Sequence, residues 1–358
     1  MRLVITGGGT GGHLFPGIAL AEGVLQRFPQ GEVMFIGTDR HLDNQALANK
    51  PFTVVALASR ALKGKSLLGQ LAALLQVPVS VWRAMQLLRR FKPDLVFGVG
   101  GYVTGPVLLA ARILGIRTAI HEQNSIPGLA NRMLGRIVDR IFVSLPGSEG
   151  FFPAAKVRLV GNPVRRELLA RAAESAAPGE TPTVLVLGGS QGARAVNRLM
   201  VEAVAKVAQK NRLNIVHQTG IHDAEWVRAG YNAAGISARV EPFIADMAAV
   251  YGEADLIVSR AGATTLAEIT VFGRPAVLIP YPYAADDHQR YNARYLVEHG
   301  AALMADEAAL TAEKLAAMLC DLLADAAGRR QMAARARELG RPAATETIIN
   351  ECLALAGA

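Results

Sequence analysis

The 358 residues are 51% hydrophobic and 19% charged, with a formal net charge of +8, a composition that excludes intrinsic disorder and a disulfide-stapled mini-domain. No apolar run approaches the roughly 18–20 residues of a membrane-spanning helix, and Leu3–Ile5 is too short for the core of a secretion signal. The two cysteines, Cys320 and Cys352, lie in late helical patterns without metal or redox spacing and read as buried thiols of a reducing compartment.

The chain opens on an apolar strand, Arg2–Ile5, that runs into Gly7, Gly8, Gly9, Thr10, Gly11, Gly12 and His13. Leu14, Ile18, Ala21, Leu25 and Phe28 then recur at the spacing of one helix face. A strand, glycine turn and helix in that order aim backbone N–H groups and a helix dipole at an anion such as a phosphate. Strands follow at Glu32–Gly37 and Phe52–Ala58. A stretch without acidic residues between Asp43 and Asp94 carries Lys50, Arg60, Lys63, Lys65, Arg83, Arg89, Arg90 and Lys92 among leucines, valines and Trp82. That mixture suits an anionic membrane surface better than nucleic acid, because aromatic platforms for bases are missing. Core-facing helix leucines are the competing explanation.

Further strands are expected at Asp94–Gly101, Arg117–Glu122, Arg140–Leu145 and Val157–Gly161. A polar stretch from Ala172 to Pro182 marks a boundary region. The pattern then restarts with Thr183–Leu187, Gly188, Gly189, Ser190, Gly192 and a helix bearing Val196, Leu199, Met200, Ala203, Val204 and Val207. Strands at Asn214–Thr219, Ala238–Ile244, Asp255–Ser259 and Pro275–Pro280 and a helical tail from Ala308 to Leu355 complete the chain. Alternation of this kind predicts an α/β fold of two Rossmann-like domains, residues 1–162 and 163–340, with 341–358 returning to the first.

Gly7, Gly9 and Gly12 match the dinucleotide fingerprint, and Asp39 stands where a ribose-binding acid would. A dehydrogenase or an epimerase is therefore an alternative. Against it stand His13 directly after the last glycine, Pro16 in the first helical turns, a second glycine turn at Gly188–Gly192 and a third loop at Ser259–Thr265. Several phosphate-competent turns suit a substrate split between a sugar nucleotide and an acceptor. No metal-ligand set is legible: His217, His222, Asp286 and Asp287 lack partners at ligand spacing.

Five motifs occur in order across the whole chain: Gly8-Gly-Thr10-Gly-Gly-His13-x-x-Pro16, His121-Glu-Gln-Asn124, Gly161-Asn-Pro-Val-Arg165, Gly188-Gly-Ser-Gln-Gly-Ala-Arg194 and Ser259-Arg-Ala-Gly262. Together they closely resemble the bacterial transferase family that adds N-acetylglucosamine (GlcNAc) to undecaprenyl-diphospho-N-acetylmuramoyl-pentapeptide. The resemblance implies a GT-B fold with a deep cleft, UDP-GlcNAc as donor in the C-terminal half, an inverting displacement without cofactor or essential metal, and a β-1,4 product for peptidoglycan. It implies a peripheral enzyme on the cytoplasmic face of the bacterial inner membrane, in a possible cell-wall synthesis complex. A related transferase with a different UDP-sugar or glycolipid acceptor is the nearer alternative.

Carried onto this sequence, the resemblance makes His13 the general base that takes the proton of the acceptor 4-hydroxyl, with Glu122 as rival. Thr10, Gly11 and Gly12 bind donor and acceptor groups, and Asn124 binds the sugar. Gly100, Gly101 and Tyr102 hold the acceptor diphosphate or line its site. Arg165 and Ser190 meet the diphosphate or ribose, the backbone of Ile244 pairs with uracil, and Glu268 accepts from the ribose hydroxyls. Ala263 and Thr264 join the donor set, and Gln289 contacts the GlcNAc hydroxyls.

Overall fold

The computed structural model describes all residues except 9, 39–46, 49, 58–66, 175–180, 190–191, 210–211 and 358, and it leaves the side chains of 67–75 undescribed. Contacts divide the chain into Met1–Arg166 with Pro342–Ala358, and Glu167–Arg341. Val164 and Arg165 thus stay with the first unit.

The first unit comprises β1 (Arg2–Gly7), α1 (Gly11–Arg27), β2 (Glu32–Gly37), β3 (Thr53–Ala56), α2 (Leu67–Phe91), β4 (Leu95–Gly100), α3 (Thr104–Ile113), β5 (Arg117–Glu122), α4 (Leu129–Leu134), β6 (Arg140–Val143) and β7 (Val157–Leu159). The strands form one sheet in the order β3-β2-β1-β4-β5-β6-β7, and every pairing is parallel. Parallel strands are covered on both faces, so their residues read as unbroken apolar runs. Successive residues still point to opposite faces. Leu3 and Ile5 pack with Leu14, Ile18 and Val24 of α1, while Val4 packs with Ala84 and Leu88 of α2 and Val107 of α3.

The C-terminal helix, Ala344–Ala356, completes the first of these layers: Ile348, Ile349 and Cys352 join the core of Leu14 and Ile18. A Cβ on Gly23 of α1 would lie 2.8 Å from Thr345 Cγ2, so a larger residue would have to push the C-terminal helix side chains aside. Arg140 closes the contact with Glu351 at 3.5 Å.

The second unit comprises α5 (Arg166–Ala173), β8 (Thr183–Leu187), α6 (Arg194–Val207), β9 (Asn214–Gln218), α7 (Ala224–Ala233), β10 (Ala238–Glu241), α8 (Met247–Glu253), β11 (Leu256–Ser259), α9 (Ala263–Phe272), β12 (Ala276–Leu278), α10 (His288–Glu298), β13 (Ala302–Met304), α11 (Ala312–Ala324) and α12 (Ala326–Leu339). Its sheet runs β10-β9-β8-β11-β12-β13, again all parallel. Val196, Met200, Ala203 and Val207 of α6 bury against Val184 and Val186 of β8 and against Leu315 and Leu319 of α11. The edge strand β13 carries no strand signal of its own: Ala302, Leu303 and Met304 take strand geometry from pairing with Ala276, Val277 and Leu278.

Both sheets reverse strand order once, between β1 and β4 and between β8 and β11. In open α/β sheets ligands bind outside the carboxyl ends of the strands at such a reversal. Among the described residues no helix is long and apolar enough to cross a membrane.

Candidate functional site

At the reversal of the first sheet, the turns after β1 and β4 are in backbone contact. Gly101 has φ +92°, and a Cβ there would lie 2.6 Å from the carbonyl oxygen of Gly8. Gly100 has φ +103°, and a Cβ there would lie 2.8 Å from Nδ1 of His13. The imidazole therefore rests against the backbone of the β4 turn. Buried Thr104 fastens that turn, its Oγ1 2.9 Å from the Gly100 carbonyl. Thr10 holds the N-cap position of α1 in extended conformation but makes no side-chain capping bond. Its carbonyl accepts from the N–H groups of His13 and Leu14, both at 3.1 Å. The exposed Thr10 hydroxyl is thus not consumed by the helix, and Gly11 and Gly12 begin the first turn beside it.

His13 meets the end of β5 through Gln123. His13 Nδ1 and Gln123 Oε1 are 2.9 Å apart, and Gln123 Nε2 donates to the Val99 carbonyl at 2.9 Å. Gln123 Nε2 also lies 3.1 Å from His121 Nδ1. His121 Nε2 in turn lies 2.9 Å from the Gly161 carbonyl and 3.1 Å from Ser144 Oγ. His121 and Gln123 are buried and His13 half-buried.

Burial pushes the His121 imidazole down to about 4; the bond to Gly161 opposes this and His13 reinforces it. In the second unit, burial likewise pushes His217 down to about 3, with Asp223 opposing. Both rings are neutral when folded but titrate near 6.5 when unfolded, so the unfolded chain binds protons first. Stability is whole above about pH 6.5 and falls as pH drops, over the window down to about 4 for His121 and about 3 for His217. The loss is on the order of 3 kcal/mol for His121 alone. The urea midpoint is expected to drop between about pH 7 and about pH 5, and His217→Gln should make that drop shallower. A midpoint independent of pH over this window would contradict both assignments.

Glu122, only 1% exposed, turns its carboxylate into the following loop. Oε1 accepts from the Asn124 N–H at 3.0 Å and Oε2 from Asn131 Nδ2 at 2.8 Å, with the Gly128 N–H at 3.3 Å. Its oxygens hold the 124–131 loop in shape, which argues against the rival-base role expected for it. Asn124 is half-buried at the mouth of that loop, and Tyr102 is exposed beside the β4 turn. Arg165, expected with the second half, lies in the first unit. Its guanidinium stacks over Phe15 of α1 at 4.9 Å, within the same turn region as His13.

In the second unit the corresponding turn follows β8. Gly189 has φ +78° and Gly192 φ +77°, and a Cβ on Gly192 would lie 2.5 Å from the Thr219 carbonyl. Ser190 lies outside the described residues, as do Gly9, Asp39, Arg60, Lys63 and Lys65. Beneath the turn a closed polar network joins α6 to β9 and α7. Asn197 Nδ2 donates to the Thr219 carbonyl at 2.9 Å and to Asp223 at 2.8 Å. Asn197 Oδ1 is 3.0 Å from His217 Nε2, and His217 Nδ1 is 3.0 Å from Tyr231 Oη.

Ile244 is buried, and its N–H donates to Gln218 Oε1 at 3.0 Å. Glu268 is 7% exposed and accepts from Tyr251 Oη at 2.8 Å. Gln289 Oε1 accepts from the N–H groups of Ala261 at 3.2 Å and Tyr281 at 2.9 Å. Two backbone donors therefore fix its amide, with Nε2 as the end that can donate to a ligand. Ala263 and Thr264 form the first turn of α9, after the Gly262 N-cap. The structure thus gathers Thr10, Gly11, Gly12, His13, Gly100, Gly101 and Arg165 around the first reversal. Glu122 and Asn124 stand at the end of the neighbouring strand β5. In the second unit, Ala263 follows β11 at the reversal, while Ile244, Gln289 and Glu268 follow β10, β12 and the first turn of α9. Gln123 stood in the His121–Asn124 motif without a role of its own, and Asn197 and Gln218 were not legible as site residues, because a glutamine or asparagine announces nothing until the group opposite it is known.

Two family models match the chain: the glycosyltransferase family 28 N-terminal domain over residues 3–143 and the C-terminal domain over residues 183–348. A UDP-N-acetylglucosamine--N-acetylmuramyl-(pentapeptide) pyrophosphoryl-undecaprenol N-acetylglucosamine transferase of Desulfotalea psychrophila is 49% identical, over 98% of this chain and 96% of its own length. The protein of the same name from Myxococcus xanthus is 47% identical, over 99% and 93%. Among solved structures, MurG of Acinetobacter baumannii superposes with a TM-score of 0.80 at 32% identity, covering 99% of each chain.

Proposed function

The chain belongs to glycosyltransferase family 28 and, within it, to the N-acetylmuramyl-(pentapeptide) pyrophosphoryl-undecaprenol GlcNAc transferases, and from that membership we propose how its residues divide the reaction. GlcNAc passes from UDP-GlcNAc to the 4-hydroxyl of the muramoyl sugar in the lipid-linked pentapeptide acceptor. The acceptor oxygen attacks the anomeric carbon from the side opposite UDP. The bond from that carbon to the diphosphate oxygen breaks, and its electron pair leaves with UDP. Configuration inverts from α to β, and the hydroxyl proton passes to His13.

The observation that carries this division is the seat of His13: a half-buried imidazole on the first turn of α1 at the sheet reversal, held at Nδ1 by Gln123. One ring nitrogen is anchored and the other is left for chemistry, as general-base catalysis requires. Glu122, with its oxygens given to the loop, positions Asn124 instead. Thr10, Gly11, Gly12, Gly100, Gly101 and Tyr102 serve the acceptor and the transferred sugar. Asn124 binds that sugar, and Arg165 offers a fixed fork to diphosphate.

The second unit takes the nucleotide. The N-terminus of α6 after the glycine turn, and that of α9 with Ala263 and Thr264, offer positive helix ends to the diphosphate, and Ser190 is assigned to the same group. These positive helix ends stabilise the departing diphosphate. Glu268, oriented by Tyr251, accepts from the ribose hydroxyls. Ile244 offers its backbone carbonyl to the base, and Gln289 donates to the GlcNAc hydroxyls. Labelled GlcNAc transfer from UDP-GlcNAc to the lipid-linked muramoyl-pentapeptide tests the reading directly; transfer from UDP-galactose at equal rate would overturn it.

A lipid-linked acceptor calls for a membrane face. The first unit exposes Val79 and Trp82 on α2 and Leu109 and Ile113 on α3, with Trp82 and Ile113 each 58% exposed. Arg112, Arg136 and Lys156 share a groove with Leu109, Ile113 and Ile137, and Arg83, Arg89 and Arg90 are exposed along α2. Apolar side chains rimmed by cations fit acyl chains beneath anionic headgroups. At about 1 kcal/mol per basic residue, replacing Arg83, Arg89 and Arg90 with glutamine together should weaken binding to phosphatidylglycerol vesicles by about 100-fold. Unchanged sedimentation with vesicles would remove α2 from the membrane face.

A further inference from the structure

The geometry points to Gln123 as the positioning residue that decides which nitrogen of His13 receives the proton, an inference that rests on the base role of His13. The Val99 carbonyl can only accept, so the group of Gln123 facing it at 2.9 Å is the amide nitrogen. The amide oxygen is thereby turned to His13 Nδ1, 2.9 Å away, and that pair is a hydrogen bond only if Nδ1 carries the hydrogen. His13 is then held in the Nδ1–H tautomer with the lone pair on Nε2.

The far end of the chain of contacts is closed in the same way. The Gly161 carbonyl, 2.9 Å from His121 Nε2, requires a hydrogen on that nitrogen. Burial keeps the His121 ring neutral, so its Nδ1 has a lone pair. That lone pair takes the second amide hydrogen of Gln123 across 3.1 Å. The Val99 and Gly161 carbonyls therefore orient the groups between them, with the His121 carbonyl a further acceptor for Gln123 Nε2 at 3.3 Å, and the last direction dictated is that of His13.

The opposite tautomer would set two lone pairs against each other at the His13–Gln123 contact. Flipping the amide would set Gln123 Oε1 against the Val99 carbonyl and against His121 Nδ1. Either arrangement leaves part-buried polar groups unmatched, a bias of roughly ten- to a hundred-fold for the Nδ1–H form. When Nε2 accepts the acceptor proton, the Nδ1–H bond to Gln123 persists, so the imidazolium forms without rearrangement. Gly100 contributes by admitting the ring: with no Cβ, it lets Nδ1 reach Gln123.

The test reads the tautomer directly. Long-range proton–nitrogen correlation spectra of the full-length protein with 15N-labelled imidazoles are expected to show His13 protonated at Nδ1 and bare at Nε2. The resonance is assigned by its loss in His13→Asn. Wild-type His13 protonated at Nε2 would overturn the inference, and this measurement needs no variant of Gln123. In Gln123→Leu the tautomers should mix and kcat should fall about 10- to 100-fold, with KM for UDP-GlcNAc within about twofold. Gln123→Glu, protonated on the oxygen facing the Val99 carbonyl so that the other still accepts from Nδ1, should restore the tautomer and part of kcat. Equal loss in both variants with an unaltered tautomer would mean that Gln123 only packs. If His13→Ala kept full turnover while wild-type His13 showed the Nδ1–H form, the base role would fall and the lock would stand.

Discussion

Replacing His13 with alanine is expected to lower kcat by about 10²- to 10⁴-fold, the range for a positioned general base, with little change in KM for UDP-GlcNAc. The residues proposed for the nucleotide base and ribose, Ile244 and Glu268, lie in the second unit, whereas His13 is set among Gly100, Gln123 and the first turn of α1. The loss should therefore fall on the chemical step. The variant also strands Gln123 Oε1, which costs about 1–3 kcal/mol in a buried site, so its thermal midpoint should be recorded beside its rate. Near-normal turnover in a folded variant would pass the base role to another group. Glu122 is poorly suited to inherit it, because both its oxygens accept from the 124–131 loop.

The second large effect is expected at Gly192 and falls on the donor instead. Alanine there would adopt φ +77° and set its Cβ 2.5 Å from the Thr219 carbonyl and 3.2 Å from Gly220 Cα. Every neighbour is backbone, so relief requires moving the chain after β9 or the turn after β8. Left-handed strain alone costs about 1–2 kcal/mol, and the clash should raise the total to roughly 2–4 kcal/mol. KM for UDP-GlcNAc should rise at least about tenfold, or the second unit should unfold at lower urea. Gly189 supplies the control. It has φ +78° but open space where its Cβ would stand, so Gly189→Ala should show the strain without the clash. Equal, small effects at both positions would mean that the turn yields easily and is no rigid cradle.

How much of this was legible follows from the range of the interactions involved. Strand Arg2–Gly7, the glycine turn and the helix bearing Leu14 and Ile18 were readable because each signal is local: period, φ preference and capping act within a few residues. Val24 proved to be the fully buried residue of the last turn, with Leu25 and Phe28 partly buried against the same core. Ala302–Met304 was not readable, since its strand geometry is imposed by β12. Arg165 was grouped with the second half on the strength of its neighbours in the chain. Its stacking on Phe15 put it in the first unit.

The chemistry divides along the same line. Sequence alone established the α/β class, the order of the strand–turn–helix units, and the motif set whose resemblance led to sugar transfer from a nucleotide. All of these depend on residues near one another in the chain. Which side chain faces which was decided only by folding. The parallel sheet brings Gln123 to His13 across 110 positions and the β4 turn to the β1 turn across about as many. It turns Glu122 away from its neighbour Gln123, because successive residues leaving a strand point to opposite sides. A hydrogen-bonding role belongs to a pair of groups, and for His13 the partner exists only once β1, β4 and β5 lie side by side.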